Sequence, residues 1–158
     1  MFTTIVWATD GSEHADRALE YATRLAAESG GTVHAVHVVE KLIGGRASGQ
    51  YVFVNEGEID AKIERQIAAT ASEATIQATV HMASSTAGDV ARHVADIARE
   101  CGADVIVVGT RGHSALAGVA LGSVTQRLLH LAPCPVLAVP PTAALAADTS
   151  TAKASTVG

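Results

Sequence analysis

Solid apolar runs alternate with amphipathic stretches along most of the chain. Residues 2–8 form a short apolar run that reads as a strand, and Thr9-Asp10-Gly11-Ser12 reads as a turn. Ala15, Ala18, Leu19, Ala22, Leu25 and Ala26 then recur at helical spacing until Gly30-Gly31 stops the pattern. The valine-rich residues 32–39 predict a second strand. Residues 40–57 carry Gly44, Gly45 and Gly49 and keep no period, which predicts a long loop. Ile59, Ile63 and Ile67 lie four apart and predict a second helix over 57–73. Residues 76–82 predict a third strand, polar enough for a sheet edge, and Val90, Val94, Ile97, Ala98 and Cys101 mark a third helix closed by Gly102. Residues 104–108 and 135–139 predict strands four and five, with a fourth helix between them bearing Leu121, Val124, Leu128 and Leu131.

Five strands alternating with four helices define an α/β chain with a single doubly wound domain built on a parallel sheet with right-handed crossovers. We expect that domain over residues 1–141 and a disordered tail over 142–158, where Ala, Thr and Ser leave little to bury. Such sheets bind ligands beyond the strand C-termini, at the point where strand order reverses. Strand one ends in Thr9-Asp10-Gly11-Ser12 and strand four in a glycine loop, so the two loops share a crevice if their strands are neighbours. Periodicity alone does not establish that adjacency.

Composition narrows the ligand. A net charge of −5 with only 17% charged residues excludes the basic face that non-specific nucleic-acid binding needs. Aromatics at 3% exclude stacking platforms, so any base must be held by backbone groups and aliphatic side chains. Residues 128–147 lack Asp, Glu, Lys and Arg, but they hold all four prolines and His130, which excludes a spanning helix. With no signal-peptide pattern at the N-terminus, a soluble cytoplasmic protein with no membrane insertion is expected. Cys101 and Cys134 form no CxxC and read as free thiols. The histidines show no HExxH or carboxylate-linked metal spacing, and His34 and His37, three apart in a strand, face opposite sides, so no protein-held metal is expected.

The chemistry concentrates in Gly109-Thr110-Arg111-Gly112 and, nine residues on, Gly122-Ser123, between the buried run 105–108 and the fourth helix. Glycine lets backbone approach an anion, and the first N–H groups of a helix lack partners within it. Neither common nucleotide motif is present: no lysine follows Gly122, and only Gly11 follows strand one. Spacing alone leaves two readings open, glycines that merely shape turns and a helix cap, or a phosphate site in which the Ser123 hydroxyl donates to phosphate beside helix amides. Asp10 likewise reads as a routine turn or cap residue or as a ligand contact. Arg111 and His113 lie inside the loop, either solvated or as charge partners for phosphate.

The pattern G-x2-G-x9-G-[ST], as Gly109, Gly112, Gly122 and Ser123, resembles the ATP-binding signature of the universal stress protein family. Ala-Thr-Asp-Gly-Ser at 8–12, His37-Val38, residues 103–109, Leu121-Gly122-Ser123-Val124 and Cys134-Pro135-Val136-Leu137 extend the resemblance over 1–140. Ala8-Thr9-Asp10, where relatives often carry Pro-Thr-Asp or Val-Asp, and Gly88-Asp89-Val90, where they often place proline third, depart from the pattern without touching the phosphate loop. The resemblance implies strand order 3-2-1-4-5, Asp10 near adenosine, and Ala8, Thr9, Val38 and Val108 lining adenine and ribose. It further implies that Gly109, Gly112, Gly122, Ser123 and Val124 hold phosphates, with Mg²⁺ carried by ATP, and that strand 135–139 meets its copy in a homodimer.

Three functions are compatible with these residues. The first is an ATP-binding, nucleotide-dependent regulatory module of the stress response, with preference for cyclic AMP as a narrower variant. The second is an ATP-hydrolysing enzyme, in which only slow turnover is expected because no P-loop lysine or second loop acid is present. The third is a nucleotide-independent dimeric scaffold.

Overall fold

The computed structural model describes residues 1–41, 56–74, 77–86, 89–112 and 121–142. Strands β1 (Thr4–Thr9), β2 (Thr32–Lys41), β3 (Gln77–Thr86), β4 (Val105–Gly109) and β5 (Val136–Val139) alternate with helices α1 (Glu13–Ser29), α2 (Glu56–Ala74), α3 (Val90–Glu100) and α4 (Ser123–Leu131). All strand pairings are parallel and the order is β3-β2-β1-β4-β5. The expected order and the adjacency of β1 and β4 are therefore present, and the register pairs Ala8 with Val108. The expected 40–57 loop falls largely on residues outside the described set, as do His113, Gly88 and almost all of the tail.

The solid apolar runs of β1 and β4 follow from burial on both faces. Ile5, Trp7, Val105 and Val107 pack under α1 and α2 with Ala18, Leu19, Ala22, Ala26, Ile63 and Ile67. Val6, Ala8, Ile106 and Val108 pack on the other face under α3 and α4 with Ala91, Val94, Ala98 and Leu128. The alanine stripe of α1 brings that helix close to the sheet, and the buried Trp7 Nε1–H donates to Ala15 O at 2.9 Å. That bond gives the indole's one polar group a partner, which a buried tryptophan requires.

Element ends follow local chemistry. Gly30, at φ 66°, caps α1, and Gly102, at φ 65°, closes the turn after α3, both in the left-handed region that favours glycine. β3 runs four residues past its expected end, because Val38 to Lys41 of β2 offer ladder partners to Ala83 through Thr86. Asp104 anchors the N-terminal segment: its Oδ2 accepts from Thr3 N at 2.8 Å, Thr3 Oγ1 at 2.9 Å and Thr4 N at 2.9 Å. These donors hold its carboxyl below the ordinary carboxylate range. His34 and His37 do face opposite sides. His34 Nδ1 lies 3.1 Å from His81 Nε2, and burial, together with that neighbour, pushes His34 down.

Candidate functional site

Strand order reverses between β1 and β4, so their C-terminal loops flank one crevice. The β1–α1 turn is built from its own side chains. Thr9 Oγ1 accepts from Gly11 N at 3.1 Å, Asp10 Oδ1 accepts from Ser12 N at 3.0 Å, and Gly11 takes φ 78°. Ser12 then caps α1 by accepting from Ala15 N at 3.3 Å, and the first turn carries Glu13 and Asp16. The α1 N-terminus thereby has a side-chain cap and two first-turn acids, which disfavour an anion there.

The β4–α4 junction is built differently. Thr110 N donates to Val139 O at 2.9 Å, while Thr110 O accepts from Gly122 N at 2.7 Å. Within α4 the buried Thr125 Oγ1 donates to Gly109 O at 2.9 Å. These bonds pin the start of α4 beside the end of β4 and bring Gly122-Ser123 to Gly109–Gly112 across the intervening residues. The N-cap is Gly122, which supplies no side-chain cap, and the first turn has no acid. This helix end, unlike that of α1, presents amides and a positive dipole end to the crevice.

The glycines differ in what the fold demands of them. A Cβ at Gly109 would stand 2.9 Å from His14 O, and one at Gly112 would collide with Asp10 Oδ2. The Asp10–Gly112 approach brings the two loops together directly. Gly122 is another matter: its backbone is ordinary, at φ −67° and ψ 157°, and among the described residues a Cβ would meet nothing nearer than Thr110 O at 3.5 Å. Packing among the described residues therefore does not require a glycine at 122.

Ala8, Val38 and Val108 are buried together on the α3/α4 face and form the apolar floor beneath the loops. Thr9 points to the opposite face, with its hydroxyl committed to the turn. Ser123 is exposed, Arg111 is half-buried, and the Val124 side chain packs into the core, leaving its amide for the crevice. His113 lies outside the described residues. Sequence reasoning missed Thr110 and Thr125, whose bonds span gaps that no local pattern encodes. It also missed Lys62, which reaches the β1–α1 turn from α2. Among the described residues no group of three or more His, Cys, Asp or Glu is arranged to hold a metal ion.

The parallel order, the reversal between β1 and β4 and the two facing loops define a doubly wound α/β protein with its crevice at the switch point. A model of the universal stress protein family matches residues 1–140. The chain is 33% identical over 150 residues to universal stress protein YxiE of Bacillus subtilis, covering 88% of this chain and 99% of that protein. A universal stress protein solved in complex with cAMP superposes with TM-score 0.65 at 23% identity, covering 89% of this chain and 98% of the other. The Archaeoglobus fulgidus universal stress protein solved with dAMP gives TM-score 0.58 at 22% identity, covering 88% and 98%. The chain belongs to the universal stress protein family.

Proposed function

We propose that the protein binds ATP in the β1/β4 crevice and acts as a nucleotide-dependent regulatory module of the stress response. The observation that carries this reading is Gly122, a residue with ordinary backbone whose Cβ would make only ordinary contacts with the described residues, at the head of a helix without a cap side chain or first-turn acid. Amides at the head of a helix that has no side-chain cap suit phosphate. In this reading Gly109, Gly112, Gly122, Ser123 and the Val124 amide hold phosphates, with Arg111 and His113 as charge partners. Ala8 and Val38 with Val108, and the backbone of Thr9, line the base and sugar, and Asp10 contacts the adenosine. Mg²⁺ arrives with the phosphates, since it favours few protein ligands. Turnover is slow at most, because the crevice lacks a P-loop lysine and a second loop acid.

A second reading, preference for cyclic AMP, is favoured by the solved relative that carries cAMP. Both nucleotides present adenosine and phosphate to the same loops. The module works as a soluble cytoplasmic homodimer joined through strand 135–139. That apolar edge leaves Leu137 37% exposed, and exposed edges tend to be paired. No helix among the described residues is long and apolar enough to cross a membrane.

Isothermal titration of nucleotide-stripped protein with Mg-ATP, and with cyclic AMP in competition, tests the reading. One saturable ATP site per chain is expected, abolished by Gly122→Glu, which sets a carboxylate in the phosphate space. Unchanged ATP affinity in a folded Gly122→Glu protein overturns the site. Absence of binding by either nucleotide leaves the scaffold function.

A further inference from the structure

Contacts centred on α2 converge on the short segment 9–16 that carries Asp10. Lys62 Nζ donates to Gly11 O at 2.7 Å and to Asp16 Oδ2 at 2.7 Å. Ile59 packs so closely on Gly11 that a Cβ there would stand 2.7 Å from its Cγ2. The buried His37 on β2 donates from Nδ1 to Thr9 O at 2.9 Å, and its Nε2 lies 3.8 Å from Asp60 Oδ1 of α2. Among the described residues Asp16 Oδ1 is buried without a hydrogen-bond partner, as is Asp60 Oδ1, the oxygen that faces His37 from 3.8 Å. Asp16 thus depends on Lys62, and the Gly11 carbonyl, next to Asp10, is held by a charged donor from another helix. The turn's own bonds from Thr9 and Asp10 set its shape, but its position above the sheet is set from α2.

We infer that Lys62 is a positioning residue for the nucleotide site, through which the seating of α2 and ligand binding at Asp10 are coupled. The inference rests on the nucleotide reading. Among the described residues the hydrogen bonds of Lys62 go to Gly11 and Asp16, neither of which is assigned to the ligand, so it acts through them. Coupling of this kind is reciprocal: if a seated α2 favours the ligand-ready turn, bound ligand favours a seated α2. α2 is then the element by which occupancy of the crevice becomes legible on a surface distant from the phosphate loop.

The test is titration of Mg-ATP into the full chain and its Lys62→Met, Lys62→Arg and Asp16→Ala variants, with amide hydrogen exchange followed over 9–16 and 59–66. Coupling predicts that Lys62→Met and Asp16→Ala both weaken ATP binding, about five- to twentyfold, and that Lys62→Arg recovers part of the loss. It also predicts that ATP slows exchange at 59–66 in the unmodified protein. A through-space charge effect instead predicts opposite signs, weaker binding without the lysine and tighter binding without the aspartate. Opposite signs, or unchanged affinities in folded variants, overturn the inference and leave the nucleotide reading standing. Failure of the unmodified protein to bind ATP or cyclic AMP overturns the nucleotide reading and this inference with it.

Discussion

Replacing Gly122 with alanine separates what the fold needs from what the ligand needs. The residue has extended backbone that any residue adopts, and among the described residues the added methyl would meet Thr110 O at 3.5 Å, Arg111 Cα at 3.8 Å and Gly112 N at 4.0 Å, all ordinary contacts. Two opposing effects act on stability. Alanine is a poorer N-cap than glycine, by about 0.5–1 kcal/mol. It also restricts the unfolded chain, which favours folding by about 0.4–1 kcal/mol. The net change lies within about 0.5 kcal/mol, or about 1–2 °C in Tm for a chain of this size. In the proposed phosphate site the added methyl stands beside the amides of Ser123 and Val124 and impedes their bonds to the ligand. Loss of one hydrogen bond to a charged group costs about 1.5–3 kcal/mol, which is about 10- to 100-fold in Kd. Calorimetric melting and titration with Mg-ATP on the same preparation read both quantities. Expected is a near-unchanged Tm with Kd raised at least about tenfold. Unchanged Kd at unchanged Tm refutes the claim that this glycine serves the ligand, and a Tm lowered by much more than the worked value refutes the claim that the fold does not need it.

Other substitutions test the frame around the site. Leu128→Ala empties a fully buried position under α4 and should cost about 2–5 kcal/mol in urea denaturation, with a smaller loss indicating that α4 relaxes onto the sheet. Gly11→Ala forces alanine to φ 78° against Ile59 and should destabilise by at least about 1–2 kcal/mol; the Gly11→Ala/Ile59→Ala double variant should lose less than the sum of the singles, and strict additivity would remove the contact from the account. Asp104 is held below its ordinary value of 3.8 by Thr3 and Thr4. Its contribution is therefore present above that value and lost as pH falls through the lower folded value. The stability gap between the protein and Asp104→Asn should close on acidification below about pH 4, and a gap constant to pH 2 would contradict the assignment.

Much of the fold was legible because each central element repeats one physical signal. Runs such as Val105 to Val108 are apolar at every position because both faces are covered, and the i, i+4 isoleucines of α2 mark its buried side. Gly30 and Gly102 ended helices where left-handed backbone was required. The far end of β3 was not legible: Ser84 to Thr86 carry no alternation, and they are strand only because β2 extends alongside. At the candidate site, the glycine spacing and Asp10 were visible because each is a short motif of neighbours along the chain.

By itself, the sequence determined the number and order of elements, the two-sided burial of the sheet and the glycine loop, all of which depend on properties of neighbours along the chain. Tertiary structure decided the relations between distant residues. Asp10 against Gly112, Thr125 on Gly109 O and Lys62 on Gly11 O each join segments separated by folded elements, and a hydrogen bond or a steric limit between such segments leaves no period or local composition to read. The same distinction sorts the glycines. In sequence they are alike, but the packed structure separates Gly109, whose Cβ would clash with the His14 backbone, and Gly112, whose Cβ would displace the Asp10 carboxylate, from Gly122, whose Cβ would make only ordinary contacts among the described residues.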